Sequence, residues 1–100
     1  NIDSRLLATV LQRQLVREGR LLRLAVELPD QAGALGLLCT AIGELGGNIN
    51  SIVHDRLFLG QDAKSVRVEA EVEVADRAAG ARILERLTGL GLHPTLLAPG

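Results

Sequence analysis

The sequence predicts an α+β domain in which a four-stranded antiparallel sheet carries two helices on one face. Two observations lead to this prediction. After residue 20 the spacing of apolar residues switches between two and about 3.6, which gives the element order β-α-β-β-α-β. Between residues 66 and 74, valine and alanine alternate with Arg67 and glutamates, so only one side of that strand is apolar. Both helices must therefore cover the same side, which is the ferredoxin-like arrangement.

The composition is typical of one globular domain with an aliphatic core. The chain has 100 residues, of which 47% are apolar and 23% are charged, with a formal net charge of −1. Leucine is abundant, whereas Phe58 is the single aromatic residue, so the core must be aliphatic and close-packed. A chain of this size buries only about 60 to 70% of its unfolded surface. We therefore expect a homodimer or a higher homo-oligomer.

The same figures argue against several classes of function. A charge near zero and the lack of an aromatic platform disfavour nucleic-acid binding. No apolar run approaches the roughly 20 residues that a membrane-spanning helix needs, and the first five residues do not resemble a signal peptide. Cys39, the single cysteine, lies among apolar residues, which favours an inert buried thiol in a reducing, cytoplasmic setting.

The first 20 residues are interpreted as a separate unit. Asp3 or Ser4 can cap a helix that Gly19 ends. The helix is amphipathic, with leucines at four-residue spacing at Leu7, Leu11 and Leu15. Because such a helix has nothing before it to pack against, we interpret 1–20 as a remnant of a preceding domain. Residues 21–100 then form the domain proper.

The first strand and helix of that domain follow directly. Apolar residues alternate from residue 21 until Pro29 ends the strand. After a turn the spacing becomes helical, with apolar positions at Leu35, Leu38, Ala41, Ile42 and Leu45. Gly46 and Gly47 close this helix.

The second half contains two strands, a helix and a short final strand. An extended segment at 49–59 and a polar turn at 60–63 lead into the alternating strand at 66–74. Asp76 caps the last helix, whose inner positions are Ile83, Leu84, Leu87 and Leu90. Leu92 to Leu97 is expected to form an edge strand, because Pro94 is tolerated there.

No catalytic or metal-binding constellation is recognisable. The two histidines, His54 and His93, lack the i, i+4 partner of a helical metal site. In the run His54-Asp55-Arg56, the carboxylate points away from the imidazole because neighbours on a strand face opposite sides. The glycines after the first strand lack the rest of a dinucleotide or phosphate loop. We therefore predict no catalytic residue, no metal and no cofactor in this chain.

The turn after the first strand combines a carboxylate with the start of a helix. Free backbone amides and the positive end of the helix dipole can bind a carboxylate group. Asp30 can accept hydrogen bonds from an ammonium group, and a free amino acid carries both groups. Alternatively, Asp30 only caps the turn and Gly33 only serves backbone geometry. The residues alone leave both interpretations open.

The segment Leu24 to Leu35, followed by Ala41-Ile42 and by Gly46-Gly47-Asn48-Ile49, resembles the ACT domain, a small regulatory module that binds amino acids. The resemblance covers residues 21–97. Members of the family often have proline just before the glycine, where this chain has Ala32. The resemblance implies an effector held between two copies, with one copy contributing Asp30, Gly33, Ala34 and Leu35 and the other Asn48 and Ile49.

The first segment resembles the junction at which the catalytic domain of a threonine dehydratase (threonine ammonia-lyase) ends and a C-terminal ACT domain begins. The resemblance implies that 1–20 is the C-terminal helix and linker of that catalytic domain and that 21–100 is the regulatory domain. This implies a parent enzyme that deaminates threonine to 2-oxobutanoate with pyridoxal phosphate, towards isoleucine. Its Schiff-base lysine would lie upstream, so Lys64, the only lysine, is not assigned that role. The chain itself would be a non-catalytic partner of its own catalytic domain, regulated by isoleucine, valine or another small amino acid. The alternative is an ACT-type dimerisation module without a functional ligand site.

Overall fold

The computed structural model describes residues 3–59 and 63–97. The elements are α1 (Ser4–Arg17), β1 (Leu21–Pro29), α2 (Ala34–Glu44), β2 (Asn48–Leu59), β3 (Ala63–Glu73), α3 (Arg77–Gly89) and β4 (Thr95–Leu96). The four strands form one antiparallel sheet in the order β2-β3-β1-β4. This confirms the predicted ferredoxin-like fold with an additional N-terminal helix. Of the turn predicted at 60–63, residues 60–62 lie outside the described residues.

One face of the sheet is buried under both helices. Leu24 in β1 and Val68 in β3 are completely buried, as are Ile42 in α2 and Ile83 in α3. The opposite face carries charged side chains, among them Arg67, whose guanidinium contacts the Glu69 carboxylate at 3.2 Å. The expectation that the helices cover only the valine side is therefore confirmed, and the apolar contacts of this layer hold the site described below in place.

Some individual positions differ from expectation. Leu90, predicted on the inner side of the last helix, is 38% exposed because it is the C-cap residue, beyond the last turn of α3. Ala79 and Gly80 are buried instead, and a Cβ at Gly80 would lie 3.0 Å from Leu22 Cδ1. Only small residues therefore allow α3 to approach β1. Cys39, predicted as buried, is half-buried in α2.

The last strand is shorter than predicted. Pairing with β1 is limited to Thr95–Leu96, opposite Ala25 and Leu24. Proline lacks an N–H group and is confined to sheet edges, and Pro94 immediately precedes the paired residues. The segment before β4 therefore leaves the ladder.

The N-terminal helix is attached mainly through its C-terminal end. Its predicted cap is confirmed, since the Asp3 side chain accepts a hydrogen bond from the Arg5 amide at 2.9 Å. Gly19 has a φ of +72° and ends the helix as predicted. The Arg77 guanidinium at the start of α3 donates to the Arg17 carbonyl at 3.0 Å. No residue of α1 is buried, and its large apolar side chains are 47–58% exposed at Leu6, Leu7, Val10 and Leu11. That residues 1–20 belong to a preceding domain stays a prediction.

None of the helices within 3–59 and 63–97 is long and apolar enough to cross a lipid bilayer.

Candidate effector site

The turn between β1 and α2 depends on one glycine. Gly33 is the residue that caps α2, and its φ of +88° lies in the left-handed region that glycine adopts without strain. The Gly33 carbonyl accepts a hydrogen bond from the Leu37 amide at 2.9 Å, and the Ala34 amide donates a hydrogen bond to the Gln31 carbonyl at 3.2 Å. A Cβ at Gly33 would meet no atom within 4 Å, so conformation rather than space requires glycine there.

A cavity of about 160 Å³ lies beside this turn, and we call it the effector cavity. It is enclosed by the end of β1, the start of α2 and the facing parts of β2 and β3. Its lining residues are Leu28, Pro29, Asp30, Gln31, Ala34, Leu35, His54, Val66 and Val68.

The walls of the effector cavity divide into an apolar and a polar part. Leu28 and Val68 are buried core residues, and Leu35 stands at the rim with 37% exposure. Asp30 is half-buried, and His54 is exposed. A carboxylate and an imidazole beside an aliphatic wall suit a small molecule that is charged at one end and apolar at the other.

The structure brings part of the predicted site together. Asp30, Ala34 and Leu35 line the effector cavity, whereas Gly33 shapes the turn without lining it. The other two predicted residues, Asn48 and Ile49, do not line it within one chain.

Those two residues lie at the beginning of β2. The Asn48 amide nitrogen donates to Asn50 Oδ1 at 3.0 Å, and Ile49 packs against the core. A strand rises about 3.3 Å per residue, so Asn48 lies about 20 Å along β2 from His54. That Asn48 and Ile49 of a second copy complete the site stays a prediction.

His54 is not among the site residues predicted from the sequence. In the β2–β3 ladder His54 stands opposite Val68, whose side chain is buried on the helix-covered face. Directly opposed residues share a face of the sheet, so the imidazole belongs to the same side as the core. The available signal was Ile52, an apolar residue two positions earlier on the same strand face.

A second cavity, of about 290 Å³, lies near β4 and is lined by Glu27, Arg67, His93 and Thr95 among others. Its arginine is already paired with Glu69 at 3.2 Å. Within residues 3–59 and 63–97, no three carboxylate, imidazole or thiol groups gather closely enough to hold a metal ion.

The chain has relatives among the threonine ammonia-lyases. It is 37% identical over 91 residues to the L-threonine ammonia-lyase of Geobacter sulfurreducens. The matched segment covers 91% of this chain and 23% of that enzyme. It is 30% identical over 76 residues to the L-threonine ammonia-lyase of Thermotoga maritima, covering 76% of this chain and 19% of that enzyme. The chain thus spans about a fifth of the length of these relatives. No protein-family model matches it.

Solved structures share the fold at low sequence identity. A protein of unknown function from Galdieria sulphuraria superposes with a TM-score of 0.66 at 17% identity, covering 96% of this chain and 67% of that chain. The ligand-free regulatory subunit of aspartate kinase from Thermus thermophilus gives a TM-score of 0.51 at 15% identity, covering 79% of this chain and 50% of that chain. The chain is thus similar over most of its length to one segment of the L-threonine ammonia-lyases, and it shares its fold with structures that include the regulatory subunit of an aspartate kinase, in agreement with the predicted resemblance to the ACT domain.

Proposed function

We propose that this chain is the regulatory domain of a threonine ammonia-lyase and that it binds a free aliphatic amino acid in the effector cavity. The observation that carries the proposal is the cavity itself. It places the Asp30 carboxylate near the accessible apolar side chains of Leu35 and Val66, in a chain whose relatives are L-threonine ammonia-lyases. Isoleucine is the preferred candidate, with valine, serine and other small amino acids as competitors.

The chemistry of the two walls supports this ligand class. Asp30 can accept hydrogen bonds from the ligand's ammonium group, and the aliphatic wall can cover its side chain. Each buried CH₂ group contributes about 0.8 kcal/mol. We therefore expect isoleucine to bind about fourfold more tightly than valine, and serine to bind more weakly than either.

For the whole protein we propose deamination of threonine to 2-oxobutanoate with pyridoxal phosphate. The cofactor and the catalytic lysine would lie in a catalytic domain, and the protein would work in the cytoplasm. A bound amino acid can change that activity only if it binds one arrangement of the domains better than another. Coupling free energies of this kind are typically about 1 to 3 kcal/mol. The exposed leucines of α1 would face the catalytic domain, and the ACT domains would associate as a homodimer or higher homo-oligomer.

A titration of the chain tests the proposal. Isothermal calorimetry with isoleucine, valine, serine and threonine should give saturable heat, strongest for isoleucine. The midpoint of thermal unfolding should rise with ligand concentration, because a ligand that binds only the folded state stabilises it. The absence of heat and of a thermal shift with all four would favour the dimerisation module instead. The alanine at position 32, where the family often has proline, is the feature that favours that second function.

We expect Asn48→Ala to weaken isoleucine binding without unfolding the domain. Asn48 is exposed, so its truncation removes little packing, whereas a lost hydrogen bond to the ligand would lower affinity about three- to tenfold. The matched control is Asn50→Ala, which removes the same bond between the two side chains but keeps the Asn48 amide. Equal affinity in wild type and Asn48→Ala would remove Asn48 from the site.

A further inference from the structure

We propose that His54 binds the carboxylate of the amino acid in the effector cavity and thereby makes the site selective for α-amino acids over amines. This inference rests on the proposed function. His54 lies on β2, whereas Asp30 lies in the turn after β1, so the two residues would bind different groups of the ligand.

His54 and Asp30 lie on different sides of the cavity wall. His54 belongs to β2, whereas Asp30 follows β1, so the two polar groups approach the cavity from different elements. His54 stands opposite Val68 in the ladder, and Val68 is itself part of the apolar wall. A ligand whose side chain rests on Val66, two residues before the buried Val68 on the same face of β3, would therefore have its polar end within reach of the imidazole.

The chemistry of the cavity supports the same role for His54. An amino acid needs an acceptor for its ammonium group and a donor for its carboxylate. Of the described residues that line the cavity, only Gln31 and His54 have side chains that can donate an N–H group. Both side chains are exposed, but Gln31 belongs to the same turn as Asp30, whereas His54 projects from the sheet on the side of the buried wall.

The imidazole of His54 is available to a ligand. Within the described part of the chain, His54 makes no hydrogen bond and no ion pair, although Arg67 and Glu69, which flank its ladder partner Val68, bind each other. A neutral imidazole has one N–H donor and one acceptor nitrogen. A carboxylate would satisfy the donor, and hydrogen bonds to a charged group are the stronger kind.

The test compares two ligands and three variants. Isoleucine carries a carboxylate, whereas 2-methylbutylamine keeps the ammonium group and the branched side chain but lacks it. We expect His54→Ala to weaken the binding of isoleucine roughly tenfold or more, and to leave the affinity for 2-methylbutylamine unchanged. His54→Gln retains an N–H donor and should recover part of the loss. His93→Gln is the matched control, because His93 lines the other cavity and should leave both affinities unchanged.

The outcomes separate this inference from the proposed function. If wild type binds isoleucine and His54→Ala binds it equally tightly, the role of His54 is wrong while the effector cavity stands. An equal loss of affinity for both ligands would also contradict the role of His54. His54 would then affect the fold or the binding of the ligand's side chain, and not the binding of its carboxylate. If wild type binds neither ligand, the proposed function fails and this inference fails with it. Thermal unfolding of each variant verifies that it folds. If His54→Ala does not fold, the affinities of His54→Gln for the two ligands test the role of His54 instead.

Discussion

Replacing Gly47 with alanine should cost the domain about 2 to 3 kcal/mol of unfolding free energy, because it adds a methyl group to a full core. A Cβ at this position would lie 2.6 Å from Ile42 Cγ2, 2.9 Å from Ile83 Cδ1 and 3.0 Å from the Ile42 carbonyl oxygen. Both isoleucines are completely buried, so neither has open space into which it can move. Relative to a total stability of about 5 to 15 kcal/mol, this is a large loss.

The matched control for this substitution lies in the preceding helix. Gly43 in α2 would place a Cβ where no atom lies within 4 Å, and alanine is favoured over glycine in helices. Gly43→Ala should therefore raise stability by roughly 0.5 to 1 kcal/mol. Urea denaturation of both variants measures the difference. If Gly47→Ala were as stable as wild type, this would contradict the close packing of α2 and α3 against the start of β2.

Replacing Asp30 with asparagine should weaken isoleucine binding about 10- to 100-fold while leaving the fold in place. The change keeps the shape of the side chain but removes the charged carboxylate that would accept hydrogen bonds from the ligand's ammonium group. Hydrogen bonds to charged groups contribute about 1.5 to 3 kcal/mol, and about 1.4 kcal/mol corresponds to tenfold in affinity. Calorimetric titration of the variant gives the dissociation constant, and thermal unfolding without ligand verifies the fold.

Asp55→Asn is the control for this charge. Asp55 belongs to β2 next to His54 but stands opposite Arg67, on the charged face of the sheet. The Asp55→Asn substitution should therefore leave the affinity for isoleucine unchanged. Equal affinities for Asp30→Asn and wild type would mean that the carboxylate at the end of β1 does not bind the ammonium group, and the site would have to be sought elsewhere.

The fold was predictable because its strongest signals are local. In β3 the alternation of valine with glutamate specifies which side is buried, and the structure buries Val68 and Val72 completely. Helix boundaries likewise follow from single residues, since Asp3 and Asp76 cap the helices predicted from them. These features need no knowledge of distant residues, which is why a single sequence was sufficient.

The site was only partly predictable because β2 contains an irregularity. Its register shifts between Ile49 and Ser51, which leaves Asn50 as an extra residue. Strict alternation would place Ile49 and Ile52 on opposite faces, yet both pack against the core. The shift therefore brings Ile49 onto the face that Ile52 and His54 share. Such a bulge depends on pairing with β3 and has no local signature in β2.

The most direct test of the account is to locate bound isoleucine on the domain by amide chemical shifts of ¹⁵N-labelled protein. We predict that the largest shifts on saturation occur at Asp30, Ala34 and Leu35 and around His54, which all line the effector cavity. Shifts centred instead on Glu27 and His93, in the cavity near β4, would contradict it. So would a spectrum that does not change at millimolar isoleucine.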